Sequence, residues 1–314
     1  MKADESHLCC QKPSPSLEAC RCRVRLQGRQ EDGTARPPDS ACSRQATSRG
    51  RHQRVVSYSL YLEGNGTEGD RRKYQDPLGY LPRLVADHYP GWVVRVYTDL
   101  DPGDKEDWAF MCGVQCRFPH VDFCSVEGLP RLGDVTGRQP VGRLWRYLPM
   151  VDPLVDVFVS RDIDSYVLKR EEEAVTEWLA SPYVFHCMRD HPNHGGPILA
   201  GLWGAKTYLN RSMISEIGNK ILFQENPKSY KYFDQDVLTK HLWPVARHLM
   251  MAHDSFTCKQ KEFFAASVRP FPTRRVGNRY VGYGATKDSA AAVIATSHCP
   301  VACRPVEHRE WVKC

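Results

Sequence analysis

The 314-residue chain is long enough for one large α/β domain or two small ones. Its 41% hydrophobic and 10% aromatic residues are those of a globular body with a sizeable core. Of the net charge of +6, +5 lies in residues 1–54, where 11 Lys/Arg face 6 Asp/Glu. The nearly neutral remainder argues against a nucleic-acid enzyme, which carries a basic face.

Residues 1–54 are rich in Arg, Ser, Gln, Pro and Gly and contain no aromatic residue before Tyr58. The expectation is a disordered basic segment, with an RNA- or membrane-binding arm as the alternative. Order is expected from Val55. The β-branched and aromatic run 55–62, closed by Gly64-Asn65-Gly66, predicts a strand and turn. Residues 77–89 carry apolar positions at helical spacing and stop at Pro90-Gly91; Trp92–Tyr97 predicts a second strand. Strand, helix, strand with short joints is the pattern of a parallel α/β sheet.

Further strands are expected at 121–124 and 155–159. Between them, 141-VGRLWRYLPMVD-152 reads as a short helix with Arg143 and Arg146 on one face. Residues 169–179 predict an amphipathic helix, 183–188 and 197–203 two strands, and 233-FDQDVLTKHLW-243 a helix with a polar entrance. One domain spans 55–298, followed by a Cys-rich tail over 299–314. The thirteen cysteines contain no CxxC pair, so a four-cysteine zinc site is not expected. The terminal cluster Cys299, Cys303 and Cys314 reads as a disulfide staple.

The sharpest feature is 155-VDVFVSRDIDSYV-167. A buried strand delivers Asp162 and Asp164 at its carboxyl end, where open α/β sheets bind ligands. Two carboxylates one residue apart suit Mn²⁺ or Mg²⁺ that keeps positions for water and phosphate. Such a cation stabilises a departing diphosphate.

The run from Arg143 to Asp164 resembles the region of GT-A glycosyltransferases in which an Arg-bearing helix precedes the DxD strand. The stretch 161–206 is similar to a further group assigned to glycosyltransferases. Asp234-Gln235-Asp236 resembles the DQD element of retaining family-eight glycosyltransferases, and His253 their later metal-binding histidine. The resemblance implies a GT-A fold, with a mostly parallel sheet flanked by helices, and transfer of a sugar from a nucleotide-sugar (a UDP-sugar or similar) to a glycan or other hydroxyl acceptor. It implies that Asp162, Asp164 and His253 bind metal and that Asp234, Gln235 and Asp236 line the sugar pocket. Arg143 or Arg146 would then face phosphate or donor sugar. Retention would proceed by front-face attack or through a transient adduct. Lys206, after the turn at Gly201, could approach a phosphate. Arg161, directly before the DxD, departs from the family's apolar strand and is expected to alter donor choice or to pair with a neighbouring acid.

Other readings remain open at this point. His186, His191 and His194, with His253 and Asp254, could form a zinc hydrolase site, although Pro192 interrupts any helix aligning them. Alternatively, His191 and Asp190 sit beside donor or acceptor hydroxyls, Asp190 in a catalytic role. A non-catalytic sugar-nucleotide-binding relative is the third reading. Terminal cysteines and the sequons at Asn65 and Asn210 point to the Golgi or another secretory lumen. The opening MKADESHLCCQKPSP, without a signal peptide's apolar run, points the other way, and no stretch approaches the roughly 18 apolar residues of a membrane span.

Overall fold

The computed structural model describes Cys20 and residues 38–61, 68–228, 230–284 and 288–314; the sequon at Asn65 and Cys9, Cys10 and Cys22 lie outside them. Eight strands form one sheet: β1 (Gln53–Leu60), β2 (Val93–Thr98), β3 (Val121–Ser125), β4 (Val155–Arg161), β5 (Phe185–Arg189), β6 (Leu202–Lys206), β7 (Met250–Asp254) and β8 (Ser267–Arg269). Their order is β3-β2-β1-β4-β6-β5-β7-β8. All run parallel except β6, which is antiparallel to both its neighbours. The architecture is therefore α/β with a mostly parallel sheet.

The strands expected at 55–62, 92–97, 121–124 and 155–159 correspond to β1 to β4. Parallel strands are covered on both faces and so read as continuous apolar runs. Val55, Tyr97, Phe158 and Trp203 belong to one apolar layer; Val56, Val94, Val159 and Trp178 belong to the other. Helices pack on the sheet: α1 (Arg44–Ser48), α2 (Glu68–Gln75), α3 (Leu81–His88), α4 (Lys105–Arg117), α5 (Lys169–Leu179), α6 (Arg211–Asn219) and α7 (Phe233–Val237). Helical backbone continues from α7 through Leu242 and Ala246, as the 233–243 pattern predicted. The strand expected at 197–203 is a loop up to Gly201, and the strand starts at Leu202.

The body starts earlier than the expected boundary at Val55. Residues 38–54 are part of it, because polar anchors replace the apolar ones they lack. Ser43 caps α1 by accepting from the Ala46 amide. Ser40 Oγ and the Ala41 amide donate to Asp152 at 2.6 and 2.8 Å, and buried Arg95 donates to the same carboxylate at 2.7 Å. The disulfide Cys42–Cys124 ties this segment to β3, and Cys20–Cys112 ties Cys20 to α4. At the other end, Cys299–Cys314 and Cys258–Cys303 form the expected staple and fix the last residues to the body. Cys187 is a free, buried thiol, and burial pushes its pKa up to about 11. Disulfides such as these four are what an oxidising compartment permits. Among the described residues no helix is long and apolar enough to cross a membrane.

Candidate functional site

The strand order sets the location. From β1 the chain adds β2 and β3 on one side, then returns to place β4 on the other. A crevice forms at such a reversal, outside the carboxyl ends of the two diverging strands. Here those ends are Leu60 of β1 and Arg161 of β4, and Asp162 follows directly.

A 3₁₀ helix, Gly142–Val151, packs across β1 and carries Arg143 and Arg146. Side chains three apart eclipse in this geometry, so both arginines share a face. The Arg146 amide donates to Ser59 Oγ at 2.9 Å, and Ser57 Oγ donates to the Arg146 carbonyl at 2.8 Å, which pins the residue to β1. Its guanidinium donates through Nη1 to Asp162 and through Nη2 to Asp234 at 2.6 Å. Burial disfavours the charged guanidinium, but Asp162, Tyr147 and Asp234 outweigh it and raise its pKa. Asp234 is itself buried; burial, aided by the charge of Asp162, raises its pKa against the pull of Arg146. Asp162 remains 41% accessible.

β6 enters this crevice from its own start. Because it is antiparallel to β4, Leu202 pairs with Arg161 and Gly201 lies against Asp162. A Cβ at Gly201 would stand 2.5 Å from the Asp162 carboxyl carbon, so a larger residue there would displace the Asp162 side chain. Gln235 closes the far wall: its Oε1 accepts from the Ala200 amide at 3.0 Å, and its Nε2 donates to the Ile198 carbonyl. Arg143 donates to the carbonyls of Tyr230 and Lys231, while exposed Asp236 accepts from the Tyr230 hydroxyl. Asp164 lies two residues beyond Asp162, with its carbonyl against Gly284 and its charge acting on Tyr80 and Tyr280. The structure thus gathers Arg146, Asp162, Gly201, Asp234 and Gln235 at the carboxyl end of β4, with Arg143 bound to the neighbouring 230–231 carbonyls, Asp164 near Tyr80 and Tyr280, and Asp236 exposed.

Several sequence expectations fail on position. Lys206 sits at the opposite end of β6, level with Val157 and roughly 15 Å along the strand from Gly201. Its ammonium donates to the Leu179 and Ser181 carbonyls at the end of α5. His253 lies on β7, three strands from β4 and so roughly 14 Å across the sheet. It is fully buried between His186, at 2.8 Å, and Glu177, at 3.1 Å, and is no ligand partner for Asp162.

Asp190 is buried and accepts from Arg170, from Arg275 at 2.7 Å, from Ser255 Oγ at 2.6 Å and from the Val281 amide at 2.9 Å. Burial pushes its pKa up, but the two arginines win and hold it well below the carboxylate range. A carboxylate so saturated is a structural hub, not a base facing substrate. The histidine cluster also separates: His186 faces His253, whereas His191 bonds the Ala290 carbonyl and His194 accepts from the Asp190 amide. Among the described residues no three His, Cys, Asp or Glu side chains converge as a metal site. The zinc arrangement is therefore not built, and Asp254 instead pairs with Arg189 at 2.7 Å.

Arg161 pairs with an acid, Glu171, at 2.6 Å, and Tyr89 donates to the same oxygen at 2.7 Å. This pair lies away from the crevice, among the helices α3 and α5. Sequence reasoning missed Gln235's contact with the 198–200 loop and the bridging role of Arg146. The eclipsed spacing of Arg143 and Arg146 was the available signal.

No protein-family model matches the chain. No curated protein matches it either. The site therefore stands on its own geometry.

Proposed function

We propose that the chain is a GT-A-type glycosyltransferase that moves a sugar from a nucleoside-diphosphate donor to a hydroxyl acceptor, with retention of configuration. The observation that carries this reading is the contact of Arg146 with both Asp162 and Asp234 at the sheet's reversal point. Three elements that the resemblance names separately, the Arg-bearing helix, the DxD and the DQD, touch one another there through Arg146.

Asp162 and Asp164 suit a divalent cation of the Mn²⁺ or Mg²⁺ type only as a shared site. Two carboxylates on one loop, one of them well exposed, leave the remaining positions to water and phosphate oxygens. His253 supplies no third ligand. When bound, the cation would neutralise charge on a departing diphosphate. Arg146 holds a fixed cationic fork beside that charge, at no reorganisation cost. Gln235 and Asp234 bound the pocket on the side where a sugar would lie, and Gly201 keeps the backbone close enough for both to reach. The disulfides support a secretory lumen such as the Golgi.

Titration calorimetry of uridine diphosphate and its sugar conjugates, with and without Mn²⁺, tests the reading. Binding that requires Mn²⁺ and is lost in Asp162→Asn and Asp164→Asn is expected. Equal binding without the metal, or in those variants, would falsify it. Transfer assays on the same protein separate a transferase from a sugar-nucleotide-binding relative without turnover.

A further inference from the structure

A cavity of about 720 Å³ opens beyond the DxD loop, between the start of α5 and the 273–283 segment. That volume is in the range of small-ligand sites. Its walls are part aromatic, from Tyr166 and Tyr283, whose ring centroids are 5.9 Å apart. The Tyr166 amide donates to the Tyr283 carbonyl at 2.8 Å, so the DxD loop and the 273–283 segment form one continuous wall.

The polar lining is cationic. Lys169, Arg170 and His88 line it but are already paired: Lys169 and His88 with Glu172 at 2.6 and 2.8 Å, and Arg170 with Asp190. Arg274 and Arg279 are different. Both line the cavity, both are exposed, and neither forms an ion pair among the described residues; Arg274 and Glu310 interact only through their charges. Asp190 anchors the segment that carries them, through the Arg275 side chain and the Val281 amide. Arg275 points inward, so Arg274 points out. Thr273 also lines the cavity, as do Leu168, Lys169 and Arg170 at the start of α5, whose first turn carries Glu171 and Glu172. Two guanidiniums without an ion pair favour an anion. Tyrosine faces beside them favour a ring.

We propose that this cavity binds the acceptor, and that the acceptor is an anionic glycan whose carboxylate or sulfate is held by Arg274 and Arg279. The word acceptor rests on the transferase reading above; the binding of an anionic glycan does not. A glucuronate-bearing hexasaccharide, a sulfated hexasaccharide and the carboxyl-reduced form of the first serve as probes, with uridine diphosphate plus Mn²⁺ as the donor arm. Affinities are measured on the wild type, on Arg274→Gln/Arg279→Gln and on Asp162→Asn. Both arginines are exposed, and an unchanged melting temperature checks the fold.

The expected result is at least tenfold weaker binding of an acidic probe in the double arginine variant, a similar loss on carboxyl reduction, and no change in Asp162→Asn. Uridine diphosphate should respond to Asp162→Asn and ignore the arginine pair. Neither acidic probe binding, or both binding equally with and without the arginines, overturns the proposal. Weaker uridine diphosphate binding in the arginine variant, with glycan binding intact, also overturns it by assigning the anion to the donor. Absence of any nucleotide binding alongside arginine-dependent glycan binding sinks the transferase reading and leaves the glycan site standing.

Discussion

Arg146 sits between Asp162 and Asp234 and donates one branch of its guanidinium to each. One cation therefore holds the DxD loop and α7 at a fixed separation. Removing it leaves the buried Asp234 carboxylate without its hydrogen-bonded counter-charge and with only the positive charge of Arg143 acting on it, while Asp162 keeps solvent. Arg146→Ala is expected to destabilise the fold by about 3 kcal/mol, the low end of the cost of orphaning a buried ion. Arg146→Lys retains the charge but not the fork. It should stay near wild-type stability and lose at least tenfold in affinity for a nucleoside diphosphate, about 1.4 kcal/mol. Denaturant melts and calorimetry on the two variants check both halves. Equal nucleotide affinity in Arg146→Lys and wild type would remove this residue from the site.

Lys206 supplies the contrasting case. Its ammonium satisfies the Leu179 and Ser181 carbonyls where α5 ends, far from Asp162 along β6. Lys206→Met keeps the length of the apolar stem and removes the ammonium, with its donors and its contact over the Trp178 ring. The cost should be roughly 1–3 kcal/mol of stability, from two carbonyls left without a partner. Nucleotide binding should not change. A selective loss of nucleotide affinity in a normally stable Lys206→Met protein would reverse the placement argued here.

Asp190 predicts a loss of function that is a loss of fold. Asp190→Asn keeps the side chain's shape but leaves Arg170 and Arg275 buried with no counter-charge. A penalty of about 3–5 kcal/mol is expected. The ionised carboxylate also contributes to pH dependence. Its folded pKa is depressed, so its stabilisation is present above the unfolded value of 3.8 and fades only as pH falls below it toward the folded value. Activity lost in Asp190→Asn while the melting temperature holds would restore a catalytic role to this residue.

What the sequence displayed and what it hid follow physical lines. Strands β1, β2 and β4 were legible because burial on both faces gives each a run rich in Val and aromatic residues. β6 (LWGAK) and β7 (MMAHD) are short and mix Gly, Ala, Met and His, so periodicity says little about them. The direction of β6 decided which of Gly201 and Lys206 reaches the DxD, and strand direction is a property of the sheet, not of local residues. Asp190 and His253 looked chemical because charged and imidazole groups are rare in cores. Whether such a group faces substrate or faces Arg170 and Glu177 depends on strands distant in sequence. Likewise, the tail composition of residues 38–54 concealed polar anchors whose partners, Asp152 and Cys124, lie far along the chain.

The pair His186 and His253 makes the last prediction. Glu177, as a carboxylate, accepts from His253 Nε2, which leaves His253 Nδ1 as the acceptor for His186 Nε2–H. His186 Nδ1 is then a bare lone pair, and it has no hydrogen-bond partner among the described residues. Both rings are thus neutral in the folded protein, with His186 stacked on Trp178 at 5.2 Å. Burial lowers the pKa of both; the charge of His253 adds to the effect at His186, and Glu177 only partly opposes it at His253. A depressed folded pKa means that the unfolded chain binds more protons once pH drops below about 6.5. Stability from this pair is therefore complete above that value and declines on acidification, by up to about 1.4 kcal/mol per pH unit for each histidine. Denaturant melts between pH 7.5 and 5.5 should show the decline in wild type and a shallower one in His186→Gln/His253→Gln. An identical slope in the two proteins would mean that the acid sensitivity comes from elsewhere in the chain.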